Sequence, residues 1–201
     1  MPIPDLSPGD ALIIVDVQRD FLPGGALAVL RGDAVVPPLN ICIDAFRHAR
    51  LPIFYTRDWH PANHCSFTEQ GGPWPPHCVA GTPGAEFGAG LNPPGEAELV
   101  SKGIVAAREA YSGFEGTDLA QRLRRLGVHR LFVGGLATDY CVRATVLDAL
   151  REGFTVVALT DAMQAVEVRA GDAARALDEM RASGASFARV RDPVNVEVPE
   201  A

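Results

Sequence analysis

The chain has 201 residues, 47% of them hydrophobic, which is enough for a substantial core, and we expect a single domain over residues 1–201. Its net charge of −7 and the lack of a basic patch argue against nucleic acid and anionic membranes as partners. No apolar run approaches the ~20 residues that span a bilayer, and the N-terminus lacks the basic-then-apolar order of a signal peptide, so we expect a cytoplasmic protein.

Apolar segments typical of buried strands alternate along the chain with segments of helical periodicity. Strands are predicted at 11–18, 51–58, 97–103, 128–136, 154–162 and 185–192, and helices within 34–50, 117–127, 139–153 and 168–184. Because strands that alternate with helices form parallel sheets covered on both faces, we expect an α/β fold. Its six-stranded, mainly parallel sheet should be doubly wound, with right-handed crossovers and helices on both faces.

One segment, residues 59–94, interrupts this alternation. It has little periodicity and is rich in Gly and Pro, and it holds three of the five histidines, two of the four cysteines and both tryptophans. Loops of this length inside a compact domain are usually functional. We therefore expect this insertion to form part of a site.

Four predicted strands end in, or lead into, side chains that can do chemistry. The first ends near Asp16, the second at Asp58 and the third at Lys102. The fourth leads into the loop that carries Cys141. Each residue alone has an ordinary explanation, such as a helix cap, a surface lysine or a buried thiol. Because ligands bind outside the carboxyl ends of strands in open parallel sheets, the four side chains should meet in one site.

Cys141 is the predicted nucleophile of this site. It lies in or near the first turn of a predicted helix, where the helix dipole and free N–H groups favour a thiolate. Asp16 could take the thiol proton as a general base, and Lys102 could stabilise both anions. None of the four cysteines belongs to a CxxC pair, which favours free thiols in a reducing compartment over a disulfide framework.

The interrupting loop begins with a pattern that suits a metal ion. Asp58, His60 and His64 fall within seven residues, and His77 follows in the same loop. Nitrogen and oxygen ligands of this kind suit zinc, iron or manganese, whereas solvated loop histidines are the simpler explanation. A structural site of Cys and His is a weaker alternative, because the loop cysteines directly follow histidines and neighbouring side chains point to opposite sides of an extended backbone.

Three aromatic residues could line a ligand pocket near these groups. They are Phe21, Trp74 and Tyr111. Aromatic residues more often form cores, but Trp74 lies in a Pro-rich loop beside His77, which favours a pocket wall.

Several motifs together resemble one family. They are IIVDVQRDFLPGGAL, TRDWHPANHCSF, WPPHCVAGTPGAEF, YSGFEGTDL and GLATDYCVRATVLDA, which span about residues 12 to 149. The chain resembles the nicotinamidases, within the isochorismatase-like cysteine hydrolases. The resemblance implies the fold of that family and hydrolysis of a small-molecule substrate, nicotinamide, to nicotinate and ammonia in NAD salvage.

The resemblance also implies roles for residues on the nucleophile side. Cys141 would attack the amide carbon to give a tetrahedral intermediate and then a thioester, Asp16 would shuttle protons, and Lys102 would complete the triad. The backbone N–H groups of Ala137 and Cys141 would form an oxyanion hole. The family has a non-proline cis peptide in this loop, which is expected here at Leu136–Ala137.

For the metal, the resemblance implies one divalent ion, with zinc as first choice and iron or manganese as alternatives. Asp58, His60 and His77 match the core ligands, and His64 matches a position whose identity varies in the family. The ion would bind the pyridine nitrogen of the substrate.

The same resemblance implies a substrate pocket in which Phe21 and Trp74 flank the ring, beside Ala137. Tyr111 would lie at the pocket mouth, although the stretch GIVAAREA before it is longer than in some relatives and could shift it.

Other functions fit the chain less well. A related cysteine hydrolase could act on another small amide or on isochorismate, but isochorismatases lack this metal loop. A non-catalytic binding module would be expected to lack one member of the triad, and a dinucleotide-binding oxidoreductase would carry G-x-G-x-x-G after the first strand. An exposed apolar helix face could support a homo-oligomer.

Overall fold

Six strands and four α-helices form the framework in the computed structural model, which describes residues 5–91, 93 and 97–190. The strands are β1 (Asp10–Val15), β2 (Ile53–Asp58), β3 (Glu98–Lys102), β4 (Arg130–Leu136), β5 (Thr155–Gln164) and β6 (Ser186–Ala188). The helices are α1 (Val36–His48), α2 (Leu119–Arg125), α3 (Arg143–Arg151) and α4 (Asp172–Ala182). The end of the last predicted strand, residues 191 and 192, lies outside the described residues.

The strands pair into one sheet in the order β3-β2-β1-β4-β5-β6, and every neighbouring pair is parallel. This confirms the predicted doubly wound α/β fold. The strand order reverses between β1 and β4, which are neighbours in the sheet but distant in sequence. Ligands bind at such a switch point, outside the carboxyl ends of the strands.

Alternation along β1 explains why this strand is a continuous apolar run. Leu12 and Ile14 pack into a core on one face of the sheet, and Ala11, Ile13 and Val15 pack into a second core on the other face. The first core contains α1 and part of the long loop, whereas the second contains α2, α3 and α4. Helices therefore cover both faces, as predicted.

The first strand is shorter than predicted. The pattern suggests a strand to residue 18, but β1 ends at Val15 because Asp16 adopts a left-handed backbone with φ of 48°. This turn directs the following residues away from the sheet.

The long loop between β2 and β3 contains no extended helix or strand in its described part, only the short 3-10 turns Thr68–Gln70 and Pro83–Ala85. Its far end returns to the segment after β1, where Gly88 N donates to Val17 O at 2.9 Å and Arg19 N donates to Glu86 O at 2.8 Å. The predicted insertion 59–94 includes residues 92 and 94, which lie outside the described residues.

None of the helices in the described part of the chain combines the length and the apolar character that crossing a membrane requires.

Candidate active site

The fold brings four side chains from the strand ends into one buried cluster. Asp16 follows β1, Asp58 ends β2, Lys102 ends β3, and Cys141 lies five residues beyond β4. All four are buried, and the ligand atoms of Asp16, Asp58 and Cys141 lie within 4.8 Å of one another.

Lys102 is the centre of this cluster. Its Nζ lies 2.9 Å from Asp16 Oδ2 and 2.5 Å from Asp58 Oδ1. It also donates to the carbonyl oxygen of Ala110 at 3.1 Å and to Cys141 Sγ at 3.4 Å. Burial opposes its charge, but the two carboxylates outweigh burial and raise the pKa of Lys102 well above its usual value. Lys102 is therefore a permanent cation, and it is the only lysine in a chain with 17 arginines.

The Asp16 carboxyl is placed to accept a proton. Its Oδ1 accepts a hydrogen bond of 2.6 Å from Thr56 Oγ1. Its buried Oδ2 is in ionic contact with Lys102, but among the described residues it has no partner with hydrogen-bond geometry. Burial and the nearby Asp58 carboxylate together raise the pKa of Asp16, although Lys102 and Thr56 lower it. A carboxylate beside a thiol is suited to general-base chemistry.

The environment of Cys141 corrects the expectation of a resting thiolate. Complete burial raises the pKa of this thiol, and Asp16 and Asp58 raise it further, so that the opposing charge of Lys102 does not compensate. Burial and the two carboxylates therefore favour the thiol form of Cys141. Its activation requires a base, and Asp16 is the adjacent candidate.

The segment that carries Cys141 has an unusual backbone. The Leu136–Ala137 peptide is cis, which confirms the expectation from the family resemblance. A π-helical turn, Thr138–Val142, follows directly and leads into α3. Ala137 and Cys141 both line the same cavity.

Asp139 ties this segment to its neighbour in space. Its buried carboxylate accepts hydrogen bonds from the backbone N–H groups of Val166 at 2.9 Å and Glu167 at 2.8 Å. Val166 also lines the cavity. The sequence motif ATDYC contains Asp139, but nothing in the motif indicates the partners of that carboxylate.

Asp58, His60 and His77 form a second cluster beside the first. Their ligand atoms lie within 4.8 Å of one another, and all three residues are buried. His60 Nδ1 donates to the Gly103 carbonyl at 3.0 Å and His77 Nδ1 to the Pro75 carbonyl at 2.7 Å. Because a carbonyl can only accept, Nδ1 carries a proton in each ring, and in the neutral imidazole Nε2 then offers its lone pair to a metal. Two oriented imidazoles and a carboxylate fit a divalent cation.

The structure does not bring His64 into this group of ligand atoms. His64 Nδ1 lies 2.7 Å from Ser66 Oγ, and Nε2 lies 3.0 Å from the Arg108 carbonyl oxygen. Its ring stacks on His60 with 4.1 Å between the centroids. In this arrangement the His64 ring packs against the ring of His60. Metal binding by His64 stays a prediction.

Cys141 from the first cluster and Asp58, His60 and His77 from the second line one cavity of about 460 Å³, counted with its open mouth. All four residues predicted to contact substrate line it, namely Phe21, Trp74, Tyr111 and Ala137. Trp74 Nε1 donates to Tyr111 Oη at 3.0 Å, so these two side chains form one wall.

Sequence reasoning missed other residues of the cavity wall. They are Leu27, Val29, Ser66, Glu109, Tyr140 and Val166. Tyr140 stands edge-on to Trp74 with 5.1 Å between ring centroids. In the sequence, only the position of Tyr140 next to Cys141 indicates that it belongs to the cavity wall. Nothing in the sequence indicates that Glu109 lies there.

The chain is similar in sequence and structure to known proteins. A profile of the isochorismatase domain matches residues 10–192. The nicotinamidase of Escherichia coli is 38% identical over 92% of this chain and 97% of its own length. The pyrazinamidase of Pyrococcus horikoshii, solved in complex with zinc, has a TM-score of 0.87 and 52% identity, covering 90% of this chain and 99% of that chain. PnC1 from L. infantum, solved in complex with nicotinate, has a TM-score of 0.86 and 38% identity, covering 94% and 96% of the two chains.

Proposed function

The chain belongs to the isochorismatase family, and we propose that it is a metal-dependent amidase that hydrolyses nicotinamide to nicotinate and ammonia. One observation carries the proposal: Cys141, backed by Asp16 and Lys102, lines the same cavity as Asp58, His60 and His77. The nicotinamidase similarity and the nicotinate-bound relative support the substrate.

The first half of the reaction starts from the neutral thiol. Asp16 takes the proton of Cys141 as Sγ bonds to the amide carbon, and the carbonyl π electrons move to oxygen. The backbone N–H groups of Ala137 and Cys141 are our candidates for stabilising that oxyanion, which is worth roughly 3 to 4 kcal/mol per donor in comparable sites. Lys102 remains charged and balances Asp16 and Asp58.

The second half releases both products. Protonated Asp16 gives its proton to the amide nitrogen as the C–N bond breaks, so that ammonia leaves and a thioester remains on Cys141. Asp16 then accepts a proton from water as the water oxygen attacks the thioester carbon. The C–S bond breaks, Asp16 returns that proton to sulfur, and the carboxylic acid product loses its remaining proton to solvent, where ammonia takes one up, so that nicotinate leaves.

Asp58, His60 and His77 would hold one divalent ion. We propose zinc, because nitrogen and oxygen ligands suit it and because the Pyrococcus horikoshii relative was solved with zinc. When bound, the ion would supply a Lewis-acidic centre that holds the pyridine nitrogen of the substrate. His64 would join these ligands only if its ring left Ser66 and the Arg108 carbonyl.

The aromatic wall would orient the substrate ring. We propose that Phe21 and Trp74 flank the ring, with Tyr111 at the mouth of the cavity. We further propose that residues 1–201 act as one domain, in the cytoplasm and in NAD salvage, and that a homo-oligomer could form through an exposed apolar helix face.

Ammonia release from nicotinamide by the zinc-loaded protein tests this function. We expect turnover by the wild type and a loss of about ten-thousandfold or more in Cys141→Ala, because the covalent route is removed. Cys42→Ala is the matched control, since Cys42 is buried in the core outside the cavity. Chelation of the metal should abolish turnover, and added zinc should restore it.

An inactive zinc-loaded wild type would refute the nicotinamidase proposal. Full activity after complete chelation would refute the role of the metal. Faster turnover of another small amide or of isochorismate would favour the related hydrolases instead.

A further inference from the structure

Gln18 has no role in the reaction proposed above, yet it is completely buried beside the site. Its side-chain Oε1 accepts a hydrogen bond of 2.8 Å from Asp58 N, and its Nε2 donates to Asp58 O at 2.8 Å. The second Nε2 hydrogen is donated to Ala85 O at 2.9 Å. Three of its hydrogen-bonding positions are therefore used, all by main-chain groups.

The Gln18 side chain takes the place of a neighbouring strand's backbone at the point where β1 stops pairing with β2. β1 pairs with β2 only up to Val15 opposite Thr56, because the chain turns away at Asp16. The next free N–H and C=O groups on that side of β2 belong to Asp58. The Gln18 amide pairs with both of them, as a neighbouring strand would.

Gln18 also joins the two ends of the long loop. Asp58 begins the loop, and Ala85 lies near its return to the segment 17–19. The Asp58 carboxylate lies between Lys102 Nζ at 2.5 Å and His60 Nε2 at 3.6 Å. A displacement of the Asp58 backbone would therefore disturb both of these contacts.

We propose that Gln18 is a positioning residue that sets the affinity of the site for a divalent cation by fixing the Asp58 backbone. The proposal rests on the metal-binding part of the proposed function. Loss of groups that orient metal ligands typically lowers metal affinity 10–100-fold. Gln18 acts through backbone atoms, so the effect should appear in metal binding before it appears in the chemical step.

Zinc affinity, measured by competition with a chromogenic chelator on the metal-free protein, tests the proposal. Gln18→Glu keeps the size of the side chain but loses hydrogen-bond donors, and Gln18→Met keeps its length but loses all three bonds. Both should bind zinc about 10–100-fold more weakly. Gln70→Glu is the matched control, since Gln70 is an exposed residue of the same loop and its affinity should stay within about twofold of wild type.

A second readout separates positioning from folding. Each variant is also melted in the metal-free state, and its kcat is measured with saturating zinc. We expect folded variants whose kcat returns to within a few-fold of wild type once zinc is saturating. Unchanged zinc affinity in a folded variant would overturn the proposal, as would failure of both variants to fold, which would assign Gln18 to the fold alone.

The outcome also distinguishes this proposal from the proposed function. A wild type that binds zinc but releases no ammonia refutes the activity and leaves the Gln18 proposal intact. A wild type that hydrolyses nicotinamide, with Gln18 variants that bind zinc normally, refutes only the Gln18 proposal.

Discussion

On the Cys141 side of the cavity, the short segment 136–142 runs from a buried strand through a π-helical turn into α3. On the histidine side, the loop from residue 59 to residue 91 has little regular structure. Side chains from other segments hold that loop. The Gln18 side chain donates a hydrogen bond to the backbone of Asp58, and Asp20 Oδ2 accepts a hydrogen bond from Cys78 N at 2.7 Å. The nucleophile thus follows directly from a strand and leads into a helix, whereas the loop that carries His60 and His77 depends in part on side chains from other segments.

This difference has consequences for substitution. A change to a reactive side chain on the Cys141 side should alter chemistry and leave the wall in place. A change to a supporting side chain on the histidine side should alter the position of the ligands themselves. Lys102 contacts Cys141 on one side and Asp58 on the other. Its substitution should therefore alter both the chemistry and the position of the metal ligands.

Lys102→Met should have the largest effect. Its removal leaves the buried Asp16 and Asp58 carboxylates facing each other without a cation, and breaking such a buried pair costs about 3–5 kcal/mol. We expect a fall of this size in the free energy of unfolding, measured with urea, and no detectable ammonia release. Wild-type stability in Lys102→Met would show that the two sides do not depend on this cation.

Asp139→Asn should affect only the Cys141 side. The amide retains one acceptor for the N–H groups of Val166 and Glu167, and an unpaired buried group costs about 1–3 kcal/mol. Because this cost should raise the activation free energy of the reaction, kcat should fall roughly 10–100-fold. Zinc affinity should not change, and a parallel loss of zinc affinity would break the division between the two sides. Asp178→Asn, on the exposed surface of α4, is the control.

Glu109→Gln, in the wall of the cavity, should have a smaller effect. The Glu109 carboxylate lines the cavity, and it should repel the anionic product more than the neutral substrate. Removal of a charge interaction of roughly 1 kcal/mol should strengthen inhibition by nicotinate about fivefold. The KM for nicotinamide should stay unchanged. Glu115→Gln, an exposed site outside the cavity, should leave both constants unaltered.

The smallest effect is expected from Arg130→Gln, at the opposite end of the sheet. Burial alone would raise the pKa of Asp10, but the hydrogen bonds and charge of Arg130 lower it overall, below 3.8. The ion pair therefore contributes stability above the carboxyl pKa of the unfolded chain, and this contribution is lost as pH falls through the lower folded value. Urea unfolding from pH 6 to pH 2 should show a shallower fall in the variant. At neutral pH the variant should keep the zinc affinity and the kcat of the wild type.

The framework of the fold was predictable because buried parallel strands leave continuous apolar runs, and the residues that end those runs are visible in the sequence. Asp58 and Lys102 could be assigned to strand ends in this way. The left-handed turn at Asp16 could not be predicted, because a left-handed φ at a non-glycine residue has no clear sequence signal.

Supporting interactions were beyond the reach of the sequence for a different reason. Gln18 and Asp58 are 40 residues apart, and the bonds between them involve backbone groups that every residue carries. The partners of His64 include a backbone carbonyl for the same reason. The pKa of Cys141 is raised first by burial and then by Asp16 and Asp58, which come from distant parts of the chain, so the position of Cys141 at a helix start could not indicate the direction of the shift.

The single lysine gives the buried cluster a spectroscopic label of its own. Arginine serves as the cation at the other 17 basic positions, where a planar guanidinium suffices, and only this site holds a compact ammonium. Protein grown with ¹⁵N-lysine labelled at Nζ would therefore give one side-chain resonance, free of overlap. That resonance would report on Asp16, Asp58 and Cys141 together, and it would follow metal loading and turnover at the one atom that contacts all three side chains.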